Sequence, residues 1–375
     1  MSVQRLYATI DLNAIQQNIQ EMIRCTANDA RICCVVKADG YGHGSLQVAR
    51  CVESEERIWG FAAATTEEAM LLRTNGIRKP IMILGYVFPD DYETLIIHQV
   101  RIPVFSAEMA KDVSNAALRT GKTAKIHLIV DTGMNRIGFT DSKESADEIE
   151  TLLSYPNLEA EGIFTHFARA DEKDKSHAFA ALERFLAFVR MLEERGIHIP
   201  LCHSANSAAT MEFPASHLNM VRVGISMYGI YPSDEMDKEA CHLVPAMELK
   251  SRVSFVKTVP AGEPVSYGGT YVTEREMRIA TVPAGYADGY PRSLSNKGCV
   301  LIGGKRARIL GRICMDQMMV DVTGLPCEIG AEVTLMGRDG DEFLGINELS
   351  DLSGRFPYEF ICVIGKRVPR VYPET

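Results

Sequence analysis

This chain has no uncharged apolar run long enough to cross a bilayer, which excludes a transmembrane helix of the usual kind. The opening Met-Ser-Val-Gln-Arg lacks the long apolar stretch of a signal peptide, so a cytoplasmic location is expected. Metal-binding spacing is also missing. The ten cysteines (25, 33, 34, 51, 202, 241, 299, 314, 327 and 362) contain no C-x-x-C pair, and the nine histidines show no H-E-x-x-H arrangement. Cysteines scattered inside apolar runs, as Cys33 and Cys34 are, suit buried free thiols in a reducing compartment better than disulfides or zinc. No metal is expected. Positive charge is not in excess either: a net charge of −9 argues against nucleic acid as the main partner. No internal repeat or low-complexity tract stands out.

What is present is an ordinary globular composition over 375 residues, too many for one small core, so two domains are expected. Residues 5–11 read as a lone first strand that could pair with a later β domain, and Asp11 can then cap a helix carrying Ile15, Ile19 and Ile23 at helical spacing. Short apolar runs at 32–36, 59–63, 81–85, 102–105, 125–130, 162–166, 201–203 and 219–223 read as strands. Amphipathic stretches near 45–54, 66–75, 90–98, 107–119, 142–153, 174–195 and 205–212 read as helices between them. This alternation indicates an N-terminal (β/α)8 barrel of roughly 225 residues. Pro232 to Glu239 is polar and reads as a linker. Beyond it, alternating runs broken by glycine and proline predict a mostly β domain in which only Asn347 to Leu352 looks helical. The expected domains are therefore residues 1–239 and 240–375.

The chemistry is expected where barrel strands end. After Ile32 to Val36 the chain meets Lys37 and dissolves into the glycine-rich loop Ala38-Asp39-Gly40-Tyr41-Gly42-His43-Gly44. Burial lowers an ammonium's pKa, and a neutral amine can attack a carbonyl to form a Schiff base. On this stretch alone, a snorkelling lysine at a strand end is the simpler reading. The seventh loop, His203-Ser204-Ala205-Asn206-Ser207-Ala208-Ala209, opens a helix with small polar residues, and the eighth strand ends in Arg222-Val223-Gly224-Ile225. Free amides, a hydroxyl and a glycine suit a phosphate, although a capped helix and a turn glycine would look the same. A reactive lysine and a phosphate cradle at one barrel mouth suggest pyridoxal 5′-phosphate (PLP). Taken singly, Arg136 after the fifth strand reads as a surface charge and His166 after the sixth as a satisfied core histidine. Their positions after successive strands point to the substrate instead.

The set VVKADGYGHG (35–44), HLIVDTGMNRIG (127–138), THFARAD (165–171), HSANSAA (203–209), NMVRVGISMYG (219–229), VSYGGTY (265–271), VPAGYADGY (282–290) and GRICMDQ (311–317) closely resembles the alanine racemases, PLP enzymes built from a barrel and a β domain. The resemblance covers nearly the whole chain. It implies interconversion of L- and D-alanine, supplying D-alanine for cell-wall peptidoglycan, in a homodimer with shared sites. By it, Lys37 carries PLP, and Tyr41, Ser207, Tyr358 and the amides of Gly224 and Ile225 hold the phosphate. Arg222 faces the pyridine nitrogen. A guanidinium keeps its proton and donates, leaving the ring a weaker electron sink, which limits side reactions.

Removing the Cα proton from one face and returning it to the other is done simply by two bases. The resemblance assigns these to Lys37 and to Tyr267 of the second subunit, with Met315 and Asp316 completing the site. A phenol needs cationic neighbours to act as a base, and a path from His166 to Arg222 could provide them. Tyr286 with Tyr358 would narrow the entrance. One position departs from the pattern. Many members carry a carbamylated lysine that orients the arginine of this stretch, where this chain has Ile129. Arg136 is therefore expected to be oriented by an anion such as chloride, or by Asn135 and water. Three other readings stay open: a racemase of serine or several small amino acids, a non-catalytic PLP barrel, and a decarboxylase. The last is disfavoured by an arginine beside the ring nitrogen.

Overall fold

The computed structural model describes residues 4–373. These form two units, one running from Ala14 to Val244, the other comprising the residues up to Asn13 together with those from Pro245 onward.

The first unit is a nearly closed barrel of eight parallel strands, in chain order Arg31–Val35, Ile58–Ala63, Ile81–Ile83, Val100–Val104, Ala124–Asp131, Leu158–Phe164, Leu201–His203 and Met220–Val223. Most are short apolar runs buried on both faces, as parallel strands under a helical coat must be, while Leu158–Phe164 is buried only over its last three residues. The eighth strand pairs with the first, Val221 opposite Ile32 and Val223 opposite Cys34. At the seam between the seventh and eighth strands, single bonds take the place of a ladder. Asn219 donates its backbone N–H to Cys202 O (3.1 Å), its side-chain oxygen accepts from Cys202 N (2.9 Å), and Arg222 N donates to Ala205 O (3.0 Å). Helices separate the strands, several capped by the residue type that capping demands. Thr65, Ser106, Ser142 and Asn206 each accept an amide of the first turn.

The polar stretch read as a linker belongs to this unit, which ends later, at Val244. The Asn18 side chain donates to Met227 O and Val244 O and accepts from Val244 N, tying that stretch to the first helix. The Lys37 stretch also differs from the loop expected. Lys37–Tyr41 is a single helical turn in which Ala38, Asp39, Gly40 and Tyr41 all have positive φ (51°, 53°, 62° and 51°). Left-handed backbone costs a non-glycine residue roughly 1–2 kcal/mol. Here it is held by hydrogen bonds: Gly40 N to Val36 O (2.8 Å), Gly42 N to Ala38 O (2.9 Å), Ala38 N to Glu68 Oε1 (2.7 Å) and Ser45 N to Asp39 Oδ1 (2.9 Å).

In the second unit, strand Leu6–Ile10 runs antiparallel to Met247–Arg252, with Leu6 opposite Ser251 and Ile10 opposite Met247, and parallel to Arg370–Val371. These strands belong to a ten-stranded sheet. Helices are few, chiefly Ile346–Ser353 and Pro357–Cys362.

Candidate active site

Eight of the thirteen residues singled out from the sequence lie in the barrel unit, and they gather where its strands end. Lys37 follows the first strand and starts the left-handed turn that ends at Tyr41. Opposite it, Ser207 opens the helix after the seventh strand, and its Oγ accepts from Gly224 N (2.9 Å) and Ser226 N (3.4 Å). Gly224 ends the eighth strand, and Ile225 begins the short turn Ile225–Tyr228. A β-carbon at Gly224 would crowd the Tyr41 hydroxyl, so only glycine leaves this space open. The buried Ser226 Oγ has no hydrogen-bond partner. Hydroxyls and backbone amides thus gather where the last two strands end, donor types that fit a phosphate.

Arg222, on the eighth strand, is 2 % exposed. Its guanidinium donates to the carbonyls of Thr165 (2.7 Å), Ser204 (3.1 Å) and His203 (3.2 Å), to His203 Nδ1 (2.8 Å) and to His166 Nδ1 (3.3 Å). Burial pulls it down to about 10, which still leaves it charged at neutral pH. His166 is pushed down to about 3, first by burial and then by the charges of Arg222, Arg136 and Lys37. His166 is therefore a neutral acceptor, bonded to Arg222 and sharing a cavity with Arg136.

Arg136 follows the fifth strand and, with Ile129, Met134, Phe164, Thr165 and His166, lines a cavity. The carboxylate in this loop is turned elsewhere: Asp131 Oδ1 accepts the amides of Gly133 (2.9 Å) and Asn135 (3.0 Å). Among the described residues no carboxylate pairs with Arg136.

The other five residues lie in the second unit. Tyr267 begins a one-turn helix after Ser266, whose φ is 64°, and its ring is 69 % exposed. The Ser266 hydroxyl donates to Arg312 O, which ties this turn to the 311–317 loop. That loop is joined in turn to the turn at Tyr286, because Tyr286 N donates to Cys314 O (3.1 Å) and Ala287 N to Met315 O (3.0 Å). A β-carbon at Gly285 would collide with both carbonyls. Three loops are thus locked together, and Tyr267, Tyr286 and Met315 all project exposed side chains from them. Asp316 accepts from Arg367 (2.7 Å). Tyr358 lies on the helix Pro357–Cys362, stacked on Phe356 at 4.5 Å.

Sequence reasoning missed three groups behind Arg222, the buried His203 and His127 and the partly buried Glu161. The signal available was one histidine in each of two runs already singled out, HLIVDTG and HSANSAA. No cluster of side chains able to hold a metal occurs among the described residues, and no helix is long and apolar enough to cross a membrane.

Residues 10–232 match the family model "Alanine racemase, N-terminal domain" and residues 246–372 match "Alanine racemase, C-terminal domain". The chain is 47 % identical to an alanine racemase of Desulforamulus reducens over 368 residues, and 44 % identical to one of Methanococcus maripaludis over 370, each alignment covering 98 % of both chains. The solved alanine racemase of Clostridium difficile 630 superposes with a TM-score of 0.95 at 39 % identity, covering 100 % of this chain and 97 % of that one. Both halves of the chain match, in order and over nearly their full length: it belongs to the alanine racemase family.

Proposed function

We propose that this chain is a PLP-dependent enzyme that interconverts L- and D-alanine by two bases, as a homodimer, and so provides D-alanine for peptidoglycan. The observation that carries this reading is the gathering of Lys37, the hydroxyls and amides around Ser207 and Gly224, and a buried, charged Arg222 at one barrel mouth. Lys37 Nζ would hold the cofactor's aldehyde carbon, while Tyr41, Ser207 and the amides of Gly224 and Ile225 would hold its phosphate. PLP, when bound, supplies the electron sink that makes the Cα proton of an amino acid removable.

The chain's own groups do the rest. Arg222 has five N–H donors and no acceptor, so it would donate to a bound cofactor's ring nitrogen without giving up its proton. His166, neutral and accepting from Arg222, adds no further positive charge to this pocket. Arg136, with no carboxylate partner among the described residues, is left to bind the substrate's carboxylate as a charge-assisted donor. Lys37 Nζ takes or returns the Cα proton on one face, and Tyr267 of the partner subunit does so on the other. The exposure of Tyr267, Tyr286 and Met315 on locked loops supports a second copy covering them.

The experiment is a racemisation assay of L-alanine with added PLP, comparing the unaltered protein with Lys37→Ala. Appearance of D-alanine only with Lys37 intact supports the reading. A colourless protein indifferent to PLP overturns it.

A further inference from the structure

Three ionisable side chains, the buried His127 and His203 and the partly buried Glu161, take no part in the reaction proposed above. Arg222 is a buried cation with no carboxylate in contact among the described residues, and an uncompensated buried charge is costly. Its compensation lies two rings away. His203 Nδ1 accepts from Arg222 at 2.8 Å, His203 Nε2 lies 3.0 Å from His127 Nδ1, and His127 Nε2 lies 3.3 Å from Glu161 Oε2. Glu161 is anchored in turn by Arg101, through two bonds of 2.7 and 3.0 Å, and by Lys125 at 2.9 Å. Arg101 lies over the ring of Trp59, which also packs against His127.

Only one placement of protons satisfies this chain. Arg222 can only donate, so His203 Nδ1 must accept, and the His203 proton is on Nε2. That N–H donates to His127 Nδ1, which places the His127 proton on Nε2, facing the Glu161 carboxylate. Each bond thus points the same way, from guanidinium to carboxylate. Burial keeps both rings neutral, and Arg101, Lys125 and His127 hold the Glu161 carboxyl well below its usual range. The backbone makes room for the relay. A β-carbon at Gly162 would collide with the His127 ring, and the pairing of the fifth and sixth strands shifts register between Ile126 and His127.

We propose that Glu161 is a positioning residue for Arg222, acting through His127 and His203: the carboxylate polarises two imidazoles in series and so fixes the orientation of the guanidinium that faces the cofactor. A carboxylate behind a histidine fixes its tautomer and raises its basicity in metal sites and catalytic triads, and here the same arrangement extends over two rings. The inference rests on the proposed role of Arg222.

The test has two arms on the PLP-loaded protein. In the first, 15N-histidine NMR reads the tautomers directly. Both His127 and His203 should carry the proton on Nε2, and Glu161→Gln should shift the His203 signals although the two residues do not touch. In the second, Glu161→Gln should lower kcat about 10–100-fold, the range usual for loss of an outer-shell partner. KM should change far less, the visible absorption band of the bound cofactor should shift, and Glu161→Asp should recover part of the loss. Gly162→Ala, which displaces His127 without removing a charge, should produce the same split between kcat and KM. A proton on Nδ1 of either ring overturns the proposal. So does a Glu161→Gln or Gly162→Ala protein that melts earlier but keeps its kcat and absorption band. The tautomer arm needs no turnover, so failure of the racemase reading and failure of the relay give different results.

Discussion

A β-carbon built on Gly224 would sit 2.9 Å from the hydroxyl oxygen of Tyr41. The two residues come from opposite ends of the barrel sequence, and the eighth strand meets the first only because the sheet curls round to pair Val223 with Cys34. Gly224→Ala should therefore push Tyr41 away from the phosphate cradle. An overpacked site costs about 1–3 kcal/mol, read here as weaker PLP binding in a titration of the cofactor-free protein. Unchanged affinity would show that the cradle lies elsewhere.

Tyr267→Phe removes one oxygen from an exposed side chain that makes no contribution to a core. Turnover should fall about 10²–10⁴-fold, the range for loss of a general base, while the bound cofactor's visible absorption stays. Racemisation measured in both directions, beside an absorption spectrum, checks this. A non-catalytic PLP barrel would be indifferent to the change.

His127, His166 and His203 are all held below the ordinary histidine value, chiefly by burial. As the pH falls through about 6.5, each ring in the unfolded chain takes up a proton that the folded ring refuses. The unfolded state then binds more protons, so stability falls with falling pH. The slope is about 1.4 kcal/mol per pH unit for each ring, starting near the unfolded value and ending, for His166, near 3. Denaturant melts from neutral pH down to about pH 5 should show the decline; a flat profile across that window would contradict neutral buried rings.

Ala38 adopts φ 51° and ψ 48°, backbone that an L side chain resists. Ala38→Gly should remove that cost and raise stability by up to about 1 kcal/mol, the gain partly offset by glycine's freer unfolded chain. The same change loosens the residue after Lys37, so kcat should fall while the melting temperature rises. A destabilised variant would show that the turn is not strained.

The barrel was legible because every strand candidate is a short apolar run and the helices between carry one apolar face, as the stretches around Ile126 and Val113 show. The mouth was legible because Lys37, Arg136, His166, Ser207 and Arg222 all follow or end strands. The left-handed turn was not, since Ala38 and Asp39 carry no local preference for it; the bonds that Ala38 N donates to Glu68 and Ser45 N donates to Asp39 impose it. The relay was hidden for another reason. His127, Glu161 and His203 lie far apart in sequence and meet only because neighbouring barrel strands place them side by side. The exit from the barrel unit was legible only to within a few residues, because Pro232 to Glu239 has a linker's composition while the Asn18 side chain holds the chain as far as Val244.

Among the described residues, strand Leu6–Ile10 pairs only with strands that follow it by more than two hundred residues, Met247–Arg252 and Arg370–Val371. During synthesis it leaves the ribosome with both of its edges bare, and it keeps them bare until the barrel residues have been made. Bare strand edges are templates for wrong pairing. A shortened chain carrying the barrel alone should therefore begin after Ile10, because one that retains this strand without its later neighbours exposes two sticky edges to every other nascent copy.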